Sequence, residues 1–392
     1  MKGSTEGASA CVFEVSGLWE RLARLTDGRR PRGKRYPLAL VLLLVVLAKL
    51  GGEDRPSGIA DWIAHRRRAL QQALGLALPR TPHHNTYRRV LQDAVDPVEL
   101  DATLGAFFGS LPTAGGSVVL SIDGKTVRGT IDAPATRGEH LLAAYLPEEG
   151  IVLMQVAAGD KENESSAAPA LLRCLDLRGK VVVGDAQHTQ RALSAQIVAA
   201  GGDYLWIAKD NQPTLRDEIE YLFTADDRTV AGGRITRELR SARTVDKGHG
   251  RQDTRTLYAS SDLRGYSDWP GLEQVFQVER QRRHTKSGKV EREVVHGLTS
   301  LSPGQASAAR LLAFNRAYWG IENGLHYRRD VTFREDATRL TRGHAGRVMA
   351  ALNNLIIGLL RRAGHTNLAA ARRHCDADLQ MSLTLLGLPP RL

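Results

Sequence analysis

Two aspartates end apolar runs of the kind that make buried strands. Asp123 closes SVVLSID and is followed by Gly124, Lys125 and Thr126; Asp185 closes VVVGD and is followed by Ala186, Gln187 and His188. In an α/β sheet, ligands gather outside the carboxyl ends of neighbouring strands, because the helices leave a crevice there. If these two strands are adjacent, the carboxylates face each other, and two carboxylates that close do not both ionise readily without a cation. Mg²⁺ and Mn²⁺ accept such hard oxygen donors. Either aspartate by itself also fits a turn former or a helix cap, so the pair carries the inference.

A third carboxylate comes from much farther along the chain. The stretch from Asn315 to Arg339, NRAYWGIENGLHYRRDVTFREDATR, reads as a helix with an acidic, arginine-rich exit. At helical three- and four-residue steps, Asn315, Tyr318, Glu322, Leu325, His326 and Arg329 share one stripe, which is too polar for a core. Leu311, Phe314, Ile321 and Leu325 supply the apolar contact that pins the helix. Glu322 then completes a three-carboxylate site; Asp330, about two turns on, and Glu335 and Asp336 compete with it. Two hard cations shared by such a set activate a hydroxyl nucleophile and stabilise the leaving oxygen in phosphodiester cleavage.

The elements that must position these residues are legible in outline. SVVLSIDG, HLLAAYLP and IVLMQVAA are successive strands separated by polar or glycine-containing turns. SSAAPALLRCLDL, VVVGDA, RALSAQIVAAGG and DYLWIAK come next as helix, strand, helix and strand. Short links make the first three strands a meander, and helical crossovers set the later strands parallel beside the first, an α/β arrangement. Residues 213–301 are strand-rich and highly charged, with alternation in Gln274 to Val278 and Val290 to Val295 around the turn Lys286-Ser287-Gly288. They read as a β-rich insertion before the Glu322 helix, which SPGQ restarts with Ser302 as cap. The expected division is a helical region over 1–112, a first core part over 113–212, the insertion over 213–301, and the Glu322 helix with further helices over 302–392.

Charge and cysteine content narrow the setting. The 392 residues carry 54 Lys and Arg against 43 Asp and Glu, a net charge of +11, so polyanions are natural partners. Cys11, Cys174 and Cys375 are few, odd in number and far apart, which excludes a disulfide framework and any cysteine-based zinc site and points to a reducing compartment. The apolar run from Pro37 to Ala48 begins too deep for a signal segment and is shorter than the roughly 20 residues of a membrane span. It reads as a buried helix, and a cytoplasmic location without membrane attachment is expected.

The order strand-Asp, strand-Asp, β-rich insertion, helix-Glu resembles the DDE insertion-sequence transposases, with their ribonuclease H-like core. More narrowly, the chain resembles the branch containing the H-repeat-associated proteins. The resemblance rests on SIDGKTVRGT, GDKENESSAAPALL, VVVGDAQHTQ, DYLWIAKDNQPTL, KGHGRQDTR, VHGLTSLS and AYWGIENGLHYRRDVTFREDATR, together with GKRYPLALVLLLVVLAKLGG near the amino end. It implies that Asp123, Asp185 and Glu322 are the catalytic, metal-binding residues, holding two Mg²⁺ or Mn²⁺ ions. It also implies contacts near the site or to DNA from Lys125 and Arg128 in DGKTVR, His188 in QHTQ, and Lys209, Asn211 and Gln212 in KDNQ. His249 and Arg251 in GHGR, Tyr318 and Asn323 around the glutamate, and Arg329 beyond it belong to the same expectation. His188 fits a helix cap as well as a contact. One departure is plain: Tyr318-Trp319 stands where the branch has His-Trp before Gly-Ile-Glu-Asn. As an activity, the resemblance implies cleavage at insertion-sequence ends to free 3′-hydroxyls, strand transfer into double-stranded target DNA, and a homodimer for synapsis. A chromosomal nuclease derived from such an element, or a DNA-binding protein with an inactive site, are the alternatives.

Overall fold

The computed structural model describes residues 15–386 apart from 33, 111–117, 133, 160–163, 225–228, 231–232, 235–238 and 249. Its first helices are α1 (Val15–Ala23), α2 (Leu38–Leu50), α3 (Pro56–His65), α4 (Arg67–Leu74), α5 (His84–Arg89) and α6 (Pro97–Gly109). Every residue of α2 is buried, as a helix apolar on all sides requires. Its one charged group, Lys49, lies with Nζ 2.7 Å from Asp54 Oδ1, and Arg372 donates to both Asp54 oxygens and to Lys49 O at 2.9 Å. Among the described residues, no helix is long and apolar enough to cross a membrane.

The apolar runs after residue 117 form β1 (Val119–Val127), β2 (Glu139–Leu146) and β3 (Ile151–Ala158), each antiparallel to the next. Helix α7 (Glu164–Arg173) crosses to β4 (Val181–Val183), which lies parallel to β1. Helix α8 (Arg191–Ala199) crosses to β5 (Asp203–Ala208), parallel to β4. Next come α9 (Pro213–Thr224), a short pair β6 (Thr229–Val230) and β7 (Gly233–Arg234), and four long strands: β8 (Arg240–Gly248), β9 (Arg251–Ser260), β10 (Gln274–His284) and β11 (Val290–Thr299). These long strands do not make a sheet of their own. β11 pairs antiparallel with β5, from Leu205 opposite Thr299 to Ala208 opposite His296, and the result is one nine-stranded mixed sheet in the order β3-β2-β1-β4-β5-β11-β10-β9-β8.

Side chains along the central strands alternate between two cores. Leu120, Ile122, Leu142 and Ala144 face α7, α8 and α9, meeting Leu171, Ile197 and Ile219. Val119, Val181, Val183 and Leu205 face the other way, onto Leu311, Leu312 and Phe314 of α10 (Ala308–Ile321). On the same second face, Ala143, Tyr145, Ile151 and Val152 join a larger cluster that links α2 and α6 to α11 (Ala345–Arg362), α12 (Leu368–Ala377) and α13 (Leu379–Leu385). Cover on both faces explains why β1, β4 and β5 read as continuous apolar runs rather than alternating ones.

Two details near α10 differ from the sequence expectation. SPGQ closes a turn instead of opening the helix, because Gln305 Oε1 accepts from both Ser302 N and Ser302 Oγ, at 2.9 and 2.8 Å. The helix begins only at Ala308, with Ser307 as its cap. Beyond Ile321 the helix widens into π turns over Glu322–His326 and Arg328–Thr332. A π turn holds an extra residue, so positions after it rotate away from the 3.6-residue stripe. Arg329, expected on the Glu322 face and at DNA, is instead fully buried. Its Nε and Nη2 donate to Glu335 at 2.7–3.0 Å, and Asn353 of α11 donates to the same carboxylate at 2.8 Å. Removing the carboxylate would leave a buried guanidinium without its counter-charge. Glu335→Ala is therefore expected to destabilise the fold by about 3–5 kcal/mol, read from urea unfolding; a loss below about 1 kcal/mol would show that the pair does not hold this segment.

Candidate metal centre

Strands β1 and β4 are in register from Val119 opposite Val181 to Ser121 opposite Val183. Asp123 and Asp185, each two residues further on, therefore stand at the same level, but only Asp185 lies past the end of its strand. Contrary to the sequence expectation, β1 does not close at Asp123, because its pairing with β2 carries it on to Val127. Asp123 shares the face of Ser121, whose Oγ reaches Ala317 O of α10 at 3.5 Å, and Asp123 Oδ1 accepts from Tyr318 OH at 3.4 Å. Asp185 caps the 3₁₀ turn Ala186–His188, its Oδ1 accepting from Gln187 N at 2.9 Å. The cap role open to this residue in the sequence is real, and it leaves the second oxygen free of that bond. Asn211 donates to Ala186 O and Gln212 to Thr189 O, so these two side chains brace the turn that carries Asp185.

Glu322 stands on the first π turn beside His326. His326 Nδ1 lies 3.2 Å from Glu322 Oε2 and 3.5 Å from Asp123 Oδ2. One ligand atom each from Asp123, Glu322 and His326 falls within 4.8 Å of the others, and Glu164, Asp185 and His188 form a second such group. Glu164 Oε1 accepts from His140 Nε2 at 2.9 Å, and His140 Nδ1 in turn is 2.9 Å from Thr126 Oγ1. A side chain at residue 124 would overlap Glu164 Oε1 and His140 Nε2, which accounts for glycine directly after Asp123.

Crowding of like charge shapes the electrostatics. Burial first, and then the charges of Glu164 and Asp185, push the Asp123 carboxyl up to about 7. Glu322 is held below its ordinary value, chiefly by the hydrogen bond from His326. Burial lowers the pKa of His326 despite the pull of Glu322, so the imidazole is neutral near pH 7. Burial and the charge of Asp123 push the Tyr318 phenol up, so it stays a donor.

The remaining expected contacts separate into two sets. Lys209, Arg251, Tyr318 and Asn323 line a cleft of about 540 Å³ that begins at Asp185 and runs between α10 and strands β9 to β11. Arg255, Arg280, Arg282 and Arg316 line it too. Arg251, Arg255, Arg280 and Arg282 surround the buried Asp253 at 2.9–3.9 Å, which keeps four guanidiniums together on one sheet face. Arg128 is 76% exposed, close to Asp336. Two other expected contacts are enclosed like Arg329. Lys125 is buried with Nζ 2.5 Å from Asp330 Oδ1, and His188 is fully buried, so neither presents its charge or ring to a ligand on the surface. Lys125 also accounts for Asp330, and Arg329 for Glu335, two of the competing carboxylates. His249 lies outside the described residues.

Glu164 and His326 are the site neighbours that the sequence expectation did not assign. His326 was within reach, four residues after Glu322 on the same stripe. Glu164 reads as an ordinary acidic residue in the first turn of a helix, and only the packing of α7 onto β1 and β2 sets it beside the two aspartates.

Comparison with known proteins matches residues 114–359 to the family described as Transposase DDE domain, and residues 19–108 to the one described as DDE_Tnp_1-associated. The chain is similar to the H repeat-associated putative transposase YhhI of Escherichia coli strain K12, with 27% identity over 353 residues, 89% of this chain and 91% of that protein. It is 28% identical over 356 residues to the putative transposase YncI of Escherichia coli O157:H7, covering 89% and 88% of the two chains. An uncharacterized protein in the dhlA 3′ region of Xanthobacter autotrophicus shares 34% identity over 285 residues, 70% of this chain and 91% of that one.

The raised Asp123 pKa sets a stability slope. A protonated Asp123 is favoured in the folded state, so its contribution is present below the ordinary carboxyl value of 3.8 and is lost as pH rises through about 7. Asp123→Asn removes that loss. In chelator-treated protein the variant's gain in unfolding free energy should be larger at pH 8 than at pH 5 by on the order of 2 kcal/mol. Urea titrations at the two pH values check this; a pH-independent difference would show that burial and neighbouring charge do not raise the Asp123 carboxyl.

Proposed function

The chain belongs to the Transposase DDE domain family, and we propose that it cleaves double-stranded DNA at insertion-sequence ends and joins the freed 3′ ends to a target. Asp123, Asp185 and Glu322 are the catalytic carboxylates of this reading. The observation that carries it is the approach of Asp123 and Glu322, about 200 residues apart in the chain, to within 4.8 Å together with His326, beside Asp185 and at the mouth of an arginine-lined cleft.

The donor set suits divalent ions of the Mg²⁺ or Mn²⁺ class. Its oxygens are hard, and the charge that lifts the Asp123 pKa is charge that a cation would offset. A pair of such ions, when bound, supplies activation of the attacking hydroxyl and stabilisation of the leaving oxygen. The chain's own residues do the rest. Tyr318 and His326 fix the rotamers of Asp123 and Glu322 through hydrogen bonds, and Lys209, Arg251 and the arginines around Asp253 line the path where phosphates would lie. Hydrolysis adds water across one P–O3′ bond and leaves a 3′-hydroxyl and a 5′-phosphate. Strand transfer then exchanges one phosphodiester for another: the freed 3′-oxygen bonds to a target phosphorus and the target's 3′-oxygen leaves, taking up a proton.

The finer architecture belongs to the same reading. Three antiparallel strands followed by two parallel ones, in the order β3-β2-β1-β4-β5, support a ribonuclease H-like core in which β8 to β11 are an insertion that prolongs the sheet. Helices α1 to α6 serve as the DNA-binding and association region, two copies act together at synapsis, and the protein works in the cytoplasm.

The test is nicking of DNA that carries the sequences flanking the gene. Cleavage should need Mg²⁺ or Mn²⁺ and fall at least about 100-fold in Asp123→Ala, Asp185→Ala and Glu322→Ala. DNA affinity should weaken steeply with salt, each neutralised phosphate adding roughly 0.9 to the log-log slope. Equal nicking by wild type and the three variants would overturn the assignment.

A further inference from the structure

We propose that Glu164, Asp185 and His188 form a cation site of their own, taking a divalent transition-metal ion such as Mn²⁺, so that the centre is built on four carboxylates and not three. The proposal rests on the proposed transposase function for the role of Asp185, while Glu164 and His188 come from the geometry.

His188 is the first observation. It is fully buried, and neither ring nitrogen has a hydrogen-bond partner among the described residues. A buried polar group without a partner is unfavourable, so a ligand for the ring is expected in the space it faces. Its Nε2 points at two carboxylate oxygens, 3.7 Å from Glu164 Oε2 and 3.8 Å from Asp185 Oδ1. Those separations are too long for hydrogen bonds. They fall between the roughly 3.0 Å and 4.2 Å that separate cis and trans donors about 2.1 Å from one ion, so an ion could sit between them after a small closing of the angle.

The surroundings hold the three ligands in place. The Thr126 hydroxyl can donate to His140 Nδ1, and His140 Nε2–H then donates to Glu164 Oε1. This relay turns Glu164 Oε2 toward His188, the outer-shell arrangement that orients ligating side chains in metal sites. Ser165 Oγ donates to Gln187 O at 3.0 Å, tying the start of α7 to the turn that carries Asp185 and His188. The missing side chain at Gly124 leaves room for the relay.

An imidazole nitrogen in the set shifts preference from Mg²⁺ toward Mn²⁺ and its heavier neighbours. Mn²⁺ binding to the full chain, followed by calorimetry and by electron spin-echo spectroscopy, tests this. Wild type should bind two ions and show nitrogen modulation of the echo. That modulation should persist in His326→Gln, which removes the other imidazole near the centre, and disappear when Glu164→Gln is added to it, with one ion weakened roughly 10–100-fold; His188→Gln in place of Glu164→Gln should behave the same and lose the preference for Mn²⁺ over Mg²⁺. If His188→Gln fails to fold, Glu164→Gln, partly exposed at its carboxylate, and the His326→Gln echo decide. Two ions retained in Glu164→Gln with modulation unchanged would overturn the site and leave the three-carboxylate reading standing. Loss of one ion in Glu164→Gln alongside normal binding in Asp123→Asn would support the site and overturn that reading.

Discussion

Bringing carboxylates from four separate elements to one partly buried place is the constraint on which the rest of this structure depends. Asp123, Glu164, Asp185 and Glu322 converge at one end of the sheet, and burial together with their summed field lifts the Asp123 pKa to about 7. Such a cluster is unfavourable in itself, and the fold can hold it only by tethering each group separately. Asp123 and Asp185 are fixed by strand register, Glu164 by the Thr126–His140 relay, and Glu322 by His326. These tethers are attached to different elements, so no single movement relieves the crowding.

The tethers are backed by buried apolar layers on both faces of the sheet. α10 lies on one face of the strands that carry the two aspartates, while α7 and α8 cover the other. The π turns after Ile321 have a physical cost, since they interrupt the regular ladder, and they sit at the residues with the most chemistry, as such turns often do. They set Glu322 and His326 toward Asp123 and turn Arg329 inward, where Glu335 and Asn353 satisfy it. The Lys49–Asp54–Arg372 group links α2 and α12 to Thr332 O at the end of the same turns, so the amino-terminal helices brace the segment that carries the third carboxylate.

The continuation of the sheet through β11 supplies the complement to the acidic end. Because β11 pairs directly with β5, arginines of β9 and β10 stand beside the acidic end of the core and not on a separate lobe. Asp253 holds the Arg282 guanidinium most tightly and three more within 4 Å, and the Arg282 hydrogen bond keeps its own carboxyl below the usual range. A carboxylate at the hub offsets repulsion among the guanidiniums and leaves their outer edges for an anion.

Local sequence suffices for the identity and order of the central strands and the buried helix α2, and for placing Asp185 just past its strand; Asp123 looked like a strand end too, but pairing with β2 carries β1 on to Val127. Those depend on apolar periodicity and on the directions that short turns and helical crossovers impose, which are properties of neighbouring residues. Glu322 was legible for the same reason, within a polar helical stripe. Which charges meet is instead a matter of packing. Glu164 carries no local mark that distinguishes it from any acid in a first helical turn, and its place depends on how α7 lies on the sheet. Lys125, His188 and Arg329 looked like surface contacts because residue type reports charge but not burial, and burial is set by segments far away in the chain. The π turns, which rotate everything after Ile321, arise from that same long-range packing, and a 3.6-residue reading has no means of anticipating them.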